Sequence, residues 1–272
     1  MILDELAAHA RERVAADKAK IPLEDMKAQA EALPKGDFRF EKALSGKECA
    51  FICEVKKASP SKGVIAEHFP YLDIAREYEA AGAAAISCLT EPHWFLGSDQ
   101  YLKEIASQVS IPVLRKDFTI SPYMIYQAKA YGASAILLIC SILDDAELHD
   151  YMQLADELHL DVLTETHSAG EIERAVNAGA RIIGVNNRNL KTFEVDVENS
   201  RRLRELAPRD ALFVSESGIR TAEDIRALYE NGTDAVLIGE TLMRANDKRA
   251  ILNELTHLLP KEPLEEKNHE QD

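Results

Sequence analysis

Between Ala50 and Gly239, short apolar runs alternate with segments of helical periodicity, and one kind of junction recurs between them. A helix ends in a small residue and glycine, and an apolar strand follows at once. This happens in A-A-G-A-A-A-I-S-C-L at Gly82, A-Y-G-A-S-A-I-L-L-I at Gly132, N-A-G-A-R-I-I-G-V-N at Gly179 and E-N-G-T-D-A-V-L-I-G at Gly232. Glycine just past a helix takes the left-handed conformation that closes it, so each site reads as a helix-to-strand turn. Counted with the runs after Pro112, Leu160 and Asp210, the pattern predicts eight strands, at 50–56, 84–90, 112–116, 135–140, 162–166, 182–186, 212–216 and 235–239. Helical patterns lie between them, several opened by caps: Ser121 before Pro122, Ser168 with Glu171, Thr221 with Asp224. The expected fold class is α/β, a (β/α)8 TIM barrel. A doubly wound open sheet would carry a Gly-rich turn after its first strand, and none is present.

Residues 1–48 precede the barrel with two amphipathic helical patterns. Ile2, Leu3, Leu6, Ala10 and Val14 recur at helical spacing in the first; Pro22 opens the second, which runs through Met26 and Ala30 and ends at Pro34-Lys35-Gly36. The expected organisation is a two-helix N-terminal extension at 1–48, a catalytic barrel at 49–258 and a polar, disordered tail at 259–272.

The first strand departs from the apolar pattern. In A-F-I-C-E-V-K-K-A-S-P-S-K-G, Glu54 and Lys56 fall two residues apart and therefore on one face, with Ile52. Charges on an inward face are costly unless that face opens onto a polar pocket. A structural ion pair at a strand edge is the plain alternative for this segment alone. The other strand ends carry Thr90 and Glu91, Lys116 with Asp117 and Phe118, Glu165, then Asn186-Asn187-Arg188, Ser215-Glu216-Ser217-Gly218 and Gly239-Glu240. The strand starts are mostly Ala, Ile, Val and Leu. Barrel loops after the strands build the catalytic rim. The rim would thus hold Lys56, Lys116 and Arg188 against Glu54, Glu165 and Glu216, groups that shift one another's pKa values and separate acid from base roles. Small residues at the ends of strands 7 and 8 favour a bound phosphate.

Composition narrows the partners. The formal charge of −15 argues against a nucleic-acid or anionic-membrane binder. Any basic pocket must act locally, which screening over roughly 8 Å permits. Cys49, Cys53, Cys88 and Cys140 form no C-x-x-C pair and read as buried thiols of a reducing cytoplasm. The eight histidines show no metal-ligand spacing, no signal peptide is evident, and no apolar run approaches the roughly 20 residues that span a bilayer.

In order along the chain, E-V-K-K-A-S-P-S-K-G, L-R-K-D-F, L-T-E-T-H, I-G-V-N-N-R-N-L, S-E-S-G-I and L-I-G-E-T-L-M resemble the indole-3-glycerol-phosphate synthase family. The resemblance covers the barrel and its extension. It implies a carboxy-lyase of tryptophan biosynthesis acting on 1-(2-carboxyphenylamino)-1-deoxyribulose 5-phosphate, with no metal or organic cofactor. It implies Lys116 as general acid and Glu165 as its acid/base partner, with Lys56 binding the substrate carboxylate and helping to orient Lys116. Glu54 and Asn186 would position these groups, and Glu216 and Ser217 would complete the catalytic set. Ser59, Arg188, Phe95 and Phe118 would bind substrate, and Ser217, Gly218, Gly239 and Glu240 would lie at the phosphate. Glu240 departs from the serine common in the family, so its backbone N–H and not its side chain would serve the phosphate; Thr166 is a small change beside Glu165. The 58–70 segment is expected to close over the substrate as a lid. The resemblance leaves room for transient contact with other tryptophan-pathway enzymes.

Two other readings fit less well. A phosphoribosylanthranilate isomerase-like barrel would call for Cys at the end of strand 1 and Asp at the end of strand 6, where this chain has Glu54-Val55-Lys56 and Asn186. A non-catalytic barrel would be expected to lose Lys116 or Glu165, and both are present.

Overall fold

The computed structural model describes residues 2–46, 48–189 and 192–260. Among these, the strands in chain order are β1 (Ala50–Val55), β2 (Ala58–Ser59), β3 (Gly63–Val64), β4 (Ala85–Leu89), β5 (Val113–Lys116), β6 (Ala135–Ile139), β7 (Asp161–Thr166), β8 (Ile182–Asn186), β9 (Leu212–Glu216) and β10 (Ala235–Ile238). β2 and β3 make a small antiparallel hairpin. The other eight are parallel and hydrogen-bond in one closed ring, completed where Ala50 of β1 pairs with Ala235 of β10.

Strand alternation sorts the apolar residues into two concentric cores. Ile52, Leu114, Leu137, Leu163, Val214 and Leu237 share one cluster inside the ring. Their neighbours of opposite parity, among them Cys53, Ile86, Val113, Ile136 and Val236, meet the surrounding helices in another. Each such side chain contributes about 1.5–3 kcal/mol when fully buried, against about 0–1 kcal/mol for an exposed ion pair. The two cores, not the many surface pairs, hold the barrel.

The turns follow from the glycines. Gly82, Gly132, Gly179 and Gly232 have φ of 95°, 87°, 89° and 81°, each closing one helix before a strand. The caps form as well: Ser121 and Ser168 accept from Tyr123 N and Glu171 N, and Thr221 with Asp224 makes a capping box.

The N-terminal segment is a strap around the barrel. Its first helix, Ile2–Lys20, lies across the carboxyl rim, where Arg13 holds Asp117 just past β5. The second, Leu23–Glu31, packs beside Pro122–Ala130 through a cluster of Val14, Met26, Tyr123 and Met124. A third, Arg39–Leu44, was not announced by the sequence pattern; it seats Phe40 and Leu44 in the inner cluster. Its N-cap position is Phe38, at φ 54°, which offers no capping side chain. The cap comes instead from Asp161 at the start of β7, whose Oδ2 accepts from Phe40 N at 2.9 Å and Glu41 N at 3.2 Å. A remote carboxylate thus ends the unsatisfied N–H groups that every helix start exposes.

All four cysteines are buried free thiols. No helix among the described residues is long and apolar enough to cross a membrane. Leu259, assigned to the tail from sequence, packs against the outer core after the helix Lys248–Thr256. The rest of the expected tail, 261–272, lies outside the described residues.

Candidate active site

One cavity of about 360 Å³ opens at the carboxyl end of the ring. Its floor is the layer of inward-facing residues immediately above the apolar ones. Ile52 is followed two residues on by Glu54, Leu114 by Lys116, Leu163 by Glu165 and Val214 by Glu216. Pairing across the ring sets Asn186 of β8 beside Glu216 of β9 and Glu165 of β7 beside Gly184 of β8. That glycine is needed: a Cβ there would run into Glu216 Oε1.

Lys116 stands between two carboxylates, with Nζ 3.3 Å from Glu165 Oε2 and 3.6 Å from Glu216 Oε2. Burial alone would lower its pKa, but Glu165, Glu216 and Glu54 together raise it above the ordinary lysine value. Burial likewise works against ionised Glu165, yet Lys116 and His167, with a hydrogen bond from Asn186, hold its pKa below the usual carboxylate range. Glu216 goes the other way. Burial and then the charge of Glu165 push it up to about 8, and its Oε1 has no hydrogen-bond partner. Two carboxylates sharing one ammonium divide into an ionised base and a protonated acid.

Lys56 is ion-paired to Glu54 Oε1, and that pair sits against Gly239, where a Cβ would collide with both end groups. Ser59 lines the cavity from the β2–β3 hairpin, which is anchored by Ala58 N donating to Phe95 O at 3.2 Å. Phe95 and Phe118 form an apolar wall, ring centroids 6.1 Å apart. Phe95 is aimed there because Glu91, buried behind the loop, accepts the N–H groups of His93, Trp94 and Phe95. Arg188 reaches the cavity while its N donates to Asn186 Oδ1 at 3.0 Å and its Nη1 to Phe193 O at 3.2 Å.

At the far side, Ser217 and Gly218 line the wall with φ of 69° and 85°, consecutive left-handed residues that turn the chain sharply after β9. Gly239 and Glu240 close this corner. The Glu240 carboxylate faces cations, Arg244 Nε at 3.1 Å and Lys62 Nζ at 3.8 Å.

Every residue assigned from sequence therefore lines this cavity. Several lining residues were missed. Ile2, Leu3 and Leu6 reach it only because the strap crosses the rim, which no local pattern reveals. Arg220 and Arg244 add cations at the Ser217–Glu240 corner; Arg244 lies one turn after Glu240, a spacing the sequence does display. His167, behind Glu165, was quoted in a motif but given no role. No cluster of three or more His, Cys, Asp or Glu among the described residues could hold a metal ion.

Comparison with known proteins is consistent along the chain. A family model described as indole-3-glycerol phosphate synthase matches residues 3–255. The chain is 59% identical over 256 residues to the indole-3-glycerol phosphate synthase of Ruminiclostridium cellulolyticum, covering 94% of this chain and 98% of that one. It is 48% identical over 271 residues to that of Lachnoclostridium phytofermentans, covering 95% and 100%. Against the Lacticaseibacillus paracasei protein of the same name, identity is 52% over 255 residues, covering 93% and 97%. Among solved structures, the 3-hexulose-6-phosphate synthase of Salmonella typhimurium superposes with a TM-score of 0.63 at 13% identity, covering 76% of this chain and 97% of that one. The thiamine phosphate pyrophosphorylase of Pyrococcus furiosus gives 0.57 at 18%, covering 77% and 94%. At such identities these two bear on the fold alone.

Proposed function

The chain belongs to the indole-3-glycerol phosphate synthase family, and from that premise we propose how its cavity residues divide the family's reaction. The enzyme closes the ring of 1-(2-carboxyphenylamino)-1-deoxyribulose 5-phosphate, with loss of carbon dioxide and water, to give indole-3-glycerol phosphate in tryptophan biosynthesis.

Lys116 is the general acid. As the anilino ring attacks the sugar carbonyl, negative charge develops on oxygen, and a buried ammonium placed there both stabilises that charge and supplies its proton. Glu165, ionised at the same site, is the base that removes a proton during dehydration. The observation that carries this division is the position of Lys116 Nζ within 3.6 Å of both carboxylates, one favoured as the anion and the other as the acid.

Lys56, fixed by Glu54, receives the substrate carboxylate; through Glu54, which also faces Lys116, it helps to hold the acid in place. Asn186 steadies Glu165 and the sugar hydroxyls. Phe95 and Phe118 pack the anthranilate ring, with Ser59 and Arg188 completing its pocket. Ser217, Gly218, Gly239 and the Glu240 backbone take the phosphate, with Arg220 and Arg244 beside them. Residues 49–258 act as the catalytic barrel and 1–48 as an extension that walls one side of the cavity. A reducing cytoplasm suits its four buried thiols.

The test is conversion of the carboxyphenylamino-deoxyribulose phosphate followed by indole fluorescence. Turnover without added metal or cofactor is the expected result; no turnover by folded protein would overturn the reading.

A further inference from the structure

Ring closure with decarboxylation and dehydration sets a proton balance that the cavity alone cannot close. The substrate accepts one proton at the carbonyl oxygen and a second when the hydroxyl leaves as water. It releases one from the carbon beside the ring nitrogen. Carbon dioxide departs from an ionised carboxylate, leaving its bonding pair in the ring and taking no proton. One proton must therefore enter from solvent in each turnover, although Glu165 is only 2% exposed and Lys116 15%.

Behind Glu165 the structure provides a line of groups leading outward. His167 Nε2 lies 3.6 Å from Glu165 Oε1, on the side of the carboxylate away from Lys116. That nitrogen is buried and has no hydrogen-bond partner. The opposite edge of the imidazole meets the surface: Nδ1 is 3.5 Å from Glu171 Oε2 and 3.4 Å from the exposed Ser141 Oγ. Ser141 donates to Glu171 Oε1 at 2.9 Å, and the His167 backbone N donates to Glu171 Oε2 at 2.7 Å. Asn199 Nδ2 holds the His167 carbonyl at 3.4 Å. At rest the ring thereby lies between one catalytic carboxylate and one partly exposed carboxylate.

We propose that His167 is the proton gate of the site, carrying protons between Glu165 and the surface pair Glu171–Ser141. The imidazole takes a proton at Nδ1 from water through Glu171 and Ser141 and gives its Nε2 proton to Glu165 Oε1. Glu165 then turns about its Cγ–Cδ bond and passes that same proton to Lys116 Nζ, restoring the acid and leaving Glu165 ionised. Left protonated at Nδ1 alone, the ring turns outward, takes a proton from water at Nε2 and swings back, while Nδ1 releases its own to Glu171, so each cycle brings one proton inward. His167 acts through Glu165 and is a positioning and relay residue, not one that touches substrate.

The electrostatic surroundings suit a gate that is charged part of the time. Burial lowers the His167 pKa, but the hydrogen bond to Glu171 and the charges of Glu165, Glu171 and Glu216 bring it above the usual histidine value. These carboxylates, from β7, β9 and the helix Ala169–Asn177, are the charged groups that face the ring; Ser141 and Asn199 are neutral.

This inference rests on the assignment of Glu165 as the base, and its test separates the two. Rates of His167→Ala, Glu171→Gln and Glu165→Gln are compared with wild type across pH 5–9, with and without added imidazole. His167→Ala is expected to lower kcat by more than about tenfold at nearly unchanged KM, and imidazole should restore it in proportion to concentration. A limb of the wild-type kcat profile above the ordinary histidine pKa should vanish in His167→Ala and move to lower pH in Glu171→Gln. A folded His167→Ala with wild-type kcat, or a loss that imidazole does not repair, overturns the gate. Should that variant fail to fold, an unmoved limb in Glu171→Gln overturns it equally. Wild-type turnover by Glu165→Gln would instead overturn the base assignment.

Discussion

Arg13 reaches across 104 residues of sequence to grip Asp117 with two hydrogen bonds, 2.6 and 3.1 Å long, and Asp117 directly follows Lys116. The strap is thus tied to the strand end that carries the proposed acid. Asp117 is fully buried; burial opposes its charge, but Arg13, Arg115 and a hydrogen bond from Thr90 hold its pKa below the usual aspartate value. Removing one partner of a buried pair strands the other, at about 3–5 kcal/mol. Arg13→Ala should lose a little less than that, because Arg115 remains 3.7 Å from the carboxylate. Because the folded-state pKa is depressed, the pair's contribution is present above the unfolded aspartate pKa and disappears as pH falls through the folded value. Denaturant melts at pH 7 and pH 3 check this: the gap between variant and wild type should narrow in acid.

Gly239→Ala separates stability from activity. The new methyl meets Glu54 Oε1 and Lys56 Nζ, the ends of flexible side chains, and the backbone φ of −116° suits alanine. The side chains can swing away, so stability should change by less than about 1 kcal/mol. The displaced pair no longer meets the substrate, and kcat/KM should fall by more than about tenfold. Thermal melts beside steady-state kinetics give both numbers.

Glu216 predicts an unusual pH dependence. Its folded pKa of about 8 lies above the ordinary 4.5, so the folded state binds more protons than the unfolded between those values. Stability contributed by this group is full below the unfolded pKa and is lost as pH rises toward 8. Glu216→Gln removes that loss. Relative to wild type, the variant should gain stability steadily from pH 5 to pH 8, as read from denaturation midpoints.

The 58–70 segment, proposed as a lid, carries the β2–β3 hairpin at the cavity mouth. The β2–β3 hairpin is held at its base by Ala58 N to Phe95 O and by Ile65 N to Lys57 O at 2.8 Å, while its second strand, Gly63–Val64, is exposed. Lys62 already reaches Glu240 across the cavity mouth. Addition of indole-3-glycerol phosphate should slow amide exchange at 58–70. Unchanged exchange there, with product bound, would remove the lid from the account.

The barrel and its chemical rim were legible because both depend on local rules. Helix-closing glycines gave the junctions, strand parity set Glu54 and Lys56 on one face with Ile52, and the strand ends displayed Lys116, Glu165 and Glu216. What escaped was decided by distance in sequence. The helix Arg39–Leu44 takes its cap from Asp161, and nothing within its own six residues announces a start. Ile2, Leu3 and Leu6 join the cavity wall because Arg13 finds Asp117, a tertiary pairing. His167 was in plain view two residues after Glu165. Parity puts both side chains on the same side of the strand line, but only the helix Ala169–Asn177, bringing Glu171 to its other edge, gives the imidazole a second partner.

The central claim is that Lys116 supplies the proton for ring closure, and the direct measurement is single-substrate turnover of wild type beside Lys116→Ala, followed by indole fluorescence. The account predicts a loss of kcat of about 10²–10⁴-fold or more in a variant that still melts cooperatively. Undiminished turnover by Lys116→Ala would contradict it and move the proton donor elsewhere on the rim, with Lys56 the next cation to test.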